Sequence, residues 1–146
     1  MSHVRNQLRD WLAANLVGSP QAGSRVEQRR SLPLAKDLRP TFLFEVSNET
    51  STDIDMDGHQ QRVIGVRVTA CVKDDSSDGE DTLDAMALFV EGVLSDDPTL
   101  GGIAQDYAYQ ATEFNFTGNA ERTLCTAALT FAVTVFTARA DPETAL

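Results

Sequence analysis

Cysteine and histidine are scarce in this 146-residue chain, two of each, and there is a single tryptophan. Two cysteines cannot build a disulfide scaffold. Cys71 and Cys125 each sit inside an apolar run and read as small buried hydrophobes. The histidines, His3 and His59, stand near the N-terminus and in a polar turn, neither placed to serve a dry catalytic pocket. No apolar stretch approaches the length of a membrane span. The first residues turn amphipathic at once, without a signal-peptide hydrophobic region, so a cytosolic origin and no membrane partner are expected. Lysine is also rare. Of twelve bases only Lys36 and Lys73 are lysine, a bias toward the planar, bidentate contacts that arginine makes in interfaces.

Acids outnumber bases by 22 to 12, for a formal charge of −10. Such a surface repels phosphate backbones and speaks against sequence-specific nucleic-acid binding. An acidic wall would still let DNA pass through a pore without sticking. At 42% hydrophobic and 23% charged residues, the composition is that of one globular domain spanning 1–146.

Hydrophobic spacing predicts the order α-β-β-β-α-β-β. Val4, Leu8, Trp11, Leu12 and Leu16 recur at helical intervals after Ser2, the expected N-cap, and Gly18-Ser19-Pro20 ends that helix. A short edge strand is expected at 25–29, then an irregular connection bracketed by Pro33 and Pro40. Strands follow at 41–46 and 61–73, joined by a polar, protruding hairpin loop at about 47–60. A second helix presents Leu83, Met86, Ala87, Val90, Val93 and Leu94, with Asp81 and Asp84 complementing its dipole in the first turn. Two strands, 106–116 and 123–137, close the chain, and residues 139–146 are expected to be flexible. The fold class is α+β, an antiparallel sheet of four to five strands with two helices on one face. Trp11, Val66, Val68, Leu83, Val90, Leu129, Phe131 and Val133 are the expected core.

Chemistry is thinly represented. Asp53-x-Asp55-x-Asp57-Gly58 opens like a calcium loop, but the position that should carry the bidentate glutamate is Ile64. A solvated hairpin tip is the favoured reading. Asp74, Asp75, Asp78, Glu80 and Asp81 read likewise as a solvated loop and helix cap. There is no nucleophile elbow, no phosphate loop and no cysteine pair at ligand spacing. No catalytic residue, cofactor or metal site is expected, and the chain is read as a non-enzyme.

Asp97-Pro98-Thr99-Leu100-Gly101-Gly102 follows the second helix. Thr112-Glu113-Phe114 comes next, and then Leu129-Thr130-Phe131 with alternation to Thr137. Upstream stand Leu32-Pro33-Leu34 and Leu38-x-Pro40. Taken in this order, the chain resembles the U-like tail terminators of long-tailed phages, a family also found in prophages and gene-transfer agents. The resemblance covers most of the chain in element order, and in motif detail mainly residues 25–137.

It implies a homo-hexameric ring that caps the tail tube, stops its polymerisation and offers a docking surface to the head. The implied partners are other copies of the chain, the major tail tube protein and a head-to-tail connector. The implied location is the head-proximal end of the tail, with host cytoplasm during assembly. Alternatives are a neck protein and, from another class, a small metal- or ligand-binding domain. Asp53, Asp55, Asp57, Gly58 and His59 are the expected partner-contact loop, and Arg25, Arg29, Arg30 and Arg67 the expected subunit interface.

Overall fold

Strict alternation in the last strand fixes the plan of the molecule. Odd-numbered residues from Cys125 to Val135 are apolar and buried, while the even-numbered ones between them are half-buried on the opposite face. The computed structural model describes residues 3–20, 22–23, 25–28, 40–74, 79–118, 123–138 and 141–146. In chain order the elements are α1 (Val4–Asn15), β1 (Val26–Gln28), β2 (Thr41–Asp53), β3 (His59–Asp74), α2 (Gly79–Asp96), β4 (Asp106–Gly118) and β5 (Thr123–Ala138). The fold is α+β, with one sheet of order β1-β2-β3-β5-β4. It departs from the expected antiparallel sheet at one edge, where β1 runs parallel to β2. A chain that pairs three residues and then returns through a long connection has no hairpin to force antiparallel geometry.

Both helices cover the same face. Val4, Leu8, Leu12 and Leu16 of the first helical segment join Leu83, Met86, Val90 and Leu94 of α2 in one core with Phe42, Phe44, Val66, Val68, Leu129, Phe131 and Val133. Phe42 stacks on Phe89 of α2 at 6.1 Å between centroids. Each fully buried side chain of this size contributes roughly 1.5–3 kcal/mol relative to exposure. Trp11 is a correction: it is half-buried at the rim of this core. Its ring lies beside Gly101, where an added methyl would come within 3.0 Å of Cδ1. Gly101 has φ +74°, a conformation that suits glycine, so chain and ring approach each other closely there.

Three further differences concern ends and loops. The N-cap is His3 and not Ser2, because the His3 imidazole accepts a hydrogen bond from the Arg5 amide. The stretch 47–60, expected as a protruding loop, is mostly strand. Asn48–Asp53 pairs with Gln60–Gly65 beyond a bulge at Ser47, and β5 pairs β3 as far as His59. Only residues 54–58 turn. At the other end of the chain, residues 141–146 are tied down by Val4 N–H to Pro142 O at 2.9 Å and Leu146 N–H to Phe136 O at 2.8 Å.

Candidate functional site

The five loop residues expected to contact a partner form the β2–β3 tip. Asp55 organises it, accepting from the amides of Asp57 at 2.9 Å and His59 at 3.1 Å and lying 2.5 Å from His59 Nδ1. These bonds, the His59 side chain first, hold the Asp55 carboxyl below the usual aspartate range. Asp53 stands at the end of β2, where its carboxylate accepts from Gln60 Nε2 at 3.4 Å. The Asp55 carboxylate is thus engaged with its own turn, and among the described residues no three acids, histidines or cysteines gather as a metal shell. Beside these exposed acids the tip also shows two apolar side chains to solvent. Met56 is fully exposed and Ile54 is 47% exposed.

Of the expected interface arginines, the two described ones, Arg25 and Arg67, are held by different partners. Arg25, beside β1, donates from Nε to Pro40 O at 2.8 Å. Arg67 lies on the sheet face away from the helices and reaches Glu45 Oε1 at 3.4 Å, its cross-strand neighbour. Arg29 and Arg30 lie outside the described residues. Cys71 and Cys125 are both buried, on opposite faces of the sheet as their registers with Thr126 and Val72 require.

Sequence reasoning missed two features. The first is a buried polar cluster where the helix-covered face ends. Arg62 donates to Thr137 Oγ1 at 2.9 Å and to Glu49 Oε2 at 3.3 Å, and Arg5 of α1 lies 3.9 Å from the same Glu49 oxygen. His3 sits in this company, and burial first, then the Arg5 charge, lowers its pKa. Three strands and α1 therefore meet around the Arg62 and Glu49 side chains, an arrangement that positions these elements.

The second is the β4 edge. Thirteen residues long, it pairs among the described residues only with β5, and it contains neither proline nor lysine, the residues that usually blunt an edge. A bulge at Gln110 keeps Tyr109 and Phe114 on the helix side of the sheet, paired to Phe131 and Ala127. α2 packs on β3 and β5, so β4 projects past it. Tyr109 is 42% exposed and Phe114 53%, and Leu88 of α2 is 72% exposed. Tyr109 packs edge-on against Phe131, 5.2 Å between centroids. Burial, and then the Glu91 charge, raises the Tyr109 pKa. A ladder of amides and carbonyls without a strand partner among the described residues, beside exposed aromatics, can recognise another polypeptide. A strand pattern in the sequence signals neither edge position nor exposure, because strand order is set by distant pairings.

No family model matches the chain, and no curated protein matches it either. Among solved structures, a chain of the virion of a native gene transfer agent particle is similar, with a TM-score of 0.40 and 12% sequence identity over 90% of this chain and 92% of that one.

Proposed function

We propose that this protein is a structural virion component that forms a ring capping the tail tube, ending its growth and presenting the head-docking surface. The β4 edge carries the assembly part of this reading: a long strand whose outer side has no strand neighbour among the described residues, with Tyr109 and Phe114 in solvent, suits a protein neighbour. The resemblance of Asp97–Gly102 and the segments after it to tail terminators supplies the kind of assembly. Those residues form a built feature. Asp97 accepts from the Gly101 amide at 2.9 Å, and Leu100, at φ +49°, is fully buried. The turn thereby anchors the end of α2 against Trp11.

Tube subunits add head-to-tail, and such a polymer stays open until a different protein occupies its end. A terminator matches the tube on one face and withholds the tube's own surface on the other. Deleting the gene should leave normal heads beside unjoined tails, many of them overlong, and expression in trans should restore particles. A neck protein, which does not touch the growing tube end, would on deletion leave tails of the proper length. Tails of proper length already fixed to heads would contradict both.

A further inference from the structure

The two faces of β4 carry different chemistries. Cross-strand register sets Tyr109 opposite Phe131 and Phe114 opposite Ala127, on the helix side of the sheet. It sets Asp106 opposite Thr134 and Glu113 opposite Ala128, on the side away from the helices. The bulge at Gln110 divides the strand, yet each half repeats one plan: Asp106 with Tyr109 before the bulge, Glu113 with Phe114 after it. All four residues are exposed, as are Ala108, Gln110, Ala111 and Asn115, whereas no residue of β5 from Cys125 to Ala138 is. Among the described residues no base pairs with Asp106 or Glu113. The stretch from Gly79 to Gly118, which builds α2 and β4, holds eight acids and no base. Glu91 of α2 stands on the helix side, close enough that its charge, after burial, raises the Tyr109 pKa.

We infer that β4 receives an extended segment of another protein in which apolar and basic residues alternate. The inference deepens the assembly reading of this edge and rests on it in taking β4 as the contact. An added strand hydrogen-bonds through its backbone, which almost any sequence can do, and its side chains supply the selectivity. Residues opposite each other on neighbouring strands point to the same side of a sheet. Every second side chain of the incoming segment therefore lies beside Tyr109 and Phe114, where apolar groups are favoured. The intervening ones lie beside Asp106 and Glu113, where arginine or lysine is attracted and an acid repelled. Among the described residues a second copy has no free strand of this kind. β4 itself is acidic, and β1, the other outer strand, is three residues long and carries Glu27.

The full-length protein is titrated against a fluorescein-labelled peptide of about nine alternating valine and arginine residues, the length of a long strand. Binding is read by fluorescence anisotropy. One comparison peptide alternates valine with glutamate, and another carries the same valines and arginines in two blocks. The alternating valine–arginine peptide should bind roughly tenfold more tightly than either. Two further peptides are methylated on every second amide nitrogen, in one phase or the other. Because a strand turns only alternate amides toward its neighbour, one of these should bind like the parent and the other roughly tenfold more weakly. Asp106→Lys with Glu113→Lys should reverse the preference toward the glutamate peptide, a gain that also shows the variant folded. Block and alternating peptides that bind alike, methylated peptides that do not differ, or a variant that keeps the arginine preference would overturn the inference. So would self-association that the peptide competes away, which would give the edge to a second copy. A protein that still forms rings without binding the peptide removes this partner and leaves the capping reading. Peptide binding by a protein whose deletion leaves tails normal does the reverse.

Discussion

Arg62 donates from Nε to the hydroxyl of Thr137 at 2.9 Å, joining β3 to β5 inside the helix-covered face. The same guanidinium reaches Glu49 of β2 and, through its second terminal nitrogen, Gln60 Oε1 at 3.3 Å. One side chain thus ties three strands together where the apolar core gives out. Glu49 already has one buried oxygen, Oε1, without a hydrogen-bond partner among the described residues. Removing the arginine leaves its carboxylate still more exposed to desolvation cost. Arg62→Met is expected to lower stability by about 2 kcal/mol in chemical denaturation. Adding Glu49→Gln to it should recover part of that loss, since the orphaned charge is gone. An unchanged denaturation midpoint for Arg62→Met would show that this network contributes nothing.

The cap of α1 should be sensitive to acid. Neutral His3 accepts hydrogen bonds at Nδ1 from the Arg5 amide at 3.1 Å and from Arg5 Nε at 3.3 Å, and a protonated ring cannot. Its folded pKa lies below the ordinary histidine value, chiefly through burial and then through Arg5. The unfolded chain therefore takes up the proton first. Stability from this cap is complete above the ordinary histidine pKa and is lost as the pH falls from there through the lowered folded value. A titration of His3 followed by nuclear magnetic resonance should show the low midpoint, and exchange of the Arg5 amide should quicken over the same window. His3→Ser, which can cap at any pH, should abolish that dependence. A midpoint at or above the ordinary value would contradict the assignment.

Two glycines should respond in opposite directions. Gly101 sits at φ +74° with Trp11 3.0 Å from where a Cβ would stand, so Gly101→Ala should destabilise by about 1–2 kcal/mol. Because Trp11 is the only tryptophan, its fluorescence should shift as the ring is displaced. Gly92 lies exposed within α2 with open space around it, and Gly92→Ala should stabilise by about 0.5–1 kcal/mol. Thermal melts of the two variants check both signs.

Much of this architecture could be read from hydrophobic spacing. Leu83, Met86, Val90 and Leu94 announce the buried face of α2, and the alternation in β5 announces which side meets it. The extension of β2 through 48–53 and of β3 back to 59–60 was opaque. There Asn48, Thr50 and Thr52 alternate with Glu49, Ser51 and Asp53, polar against polar, and the period carries no contrast. Pairing with a distant β5 makes that segment strand. His3 escaped notice as a cap because capping is usually the work of short polar side chains. The arginines expected at an interface were chosen by type, and Arg67 proved to be matched within its own sheet by Glu45. The β4 edge was hidden for a topological reason: residues 106–118 read the same whether a neighbour lies on one side or both.

Phe114 and Tyr109 should matter to assembly and little to the fold. Truncating an exposed side chain forms no cavity, so Phe114→Ser should move the melting temperature only slightly. Phe131→Asp, at a position 1% exposed, should instead abolish cooperative melting by burying an unpaired charge. Peptide binding at the β4 edge, measured beside the melts, separates the two roles. Phe114→Ser should weaken it at least tenfold; a variant that binds normally would place the contact elsewhere.

Electron cryo-microscopy of intact particles bearing this protein bears most directly on its proposed place in the virion. A closed ring of copies is expected on the last layer of tail tube, with the head connector seated on its other side. Tube subunits running unbroken to the connector, or single copies bound elsewhere on the particle, would contradict it.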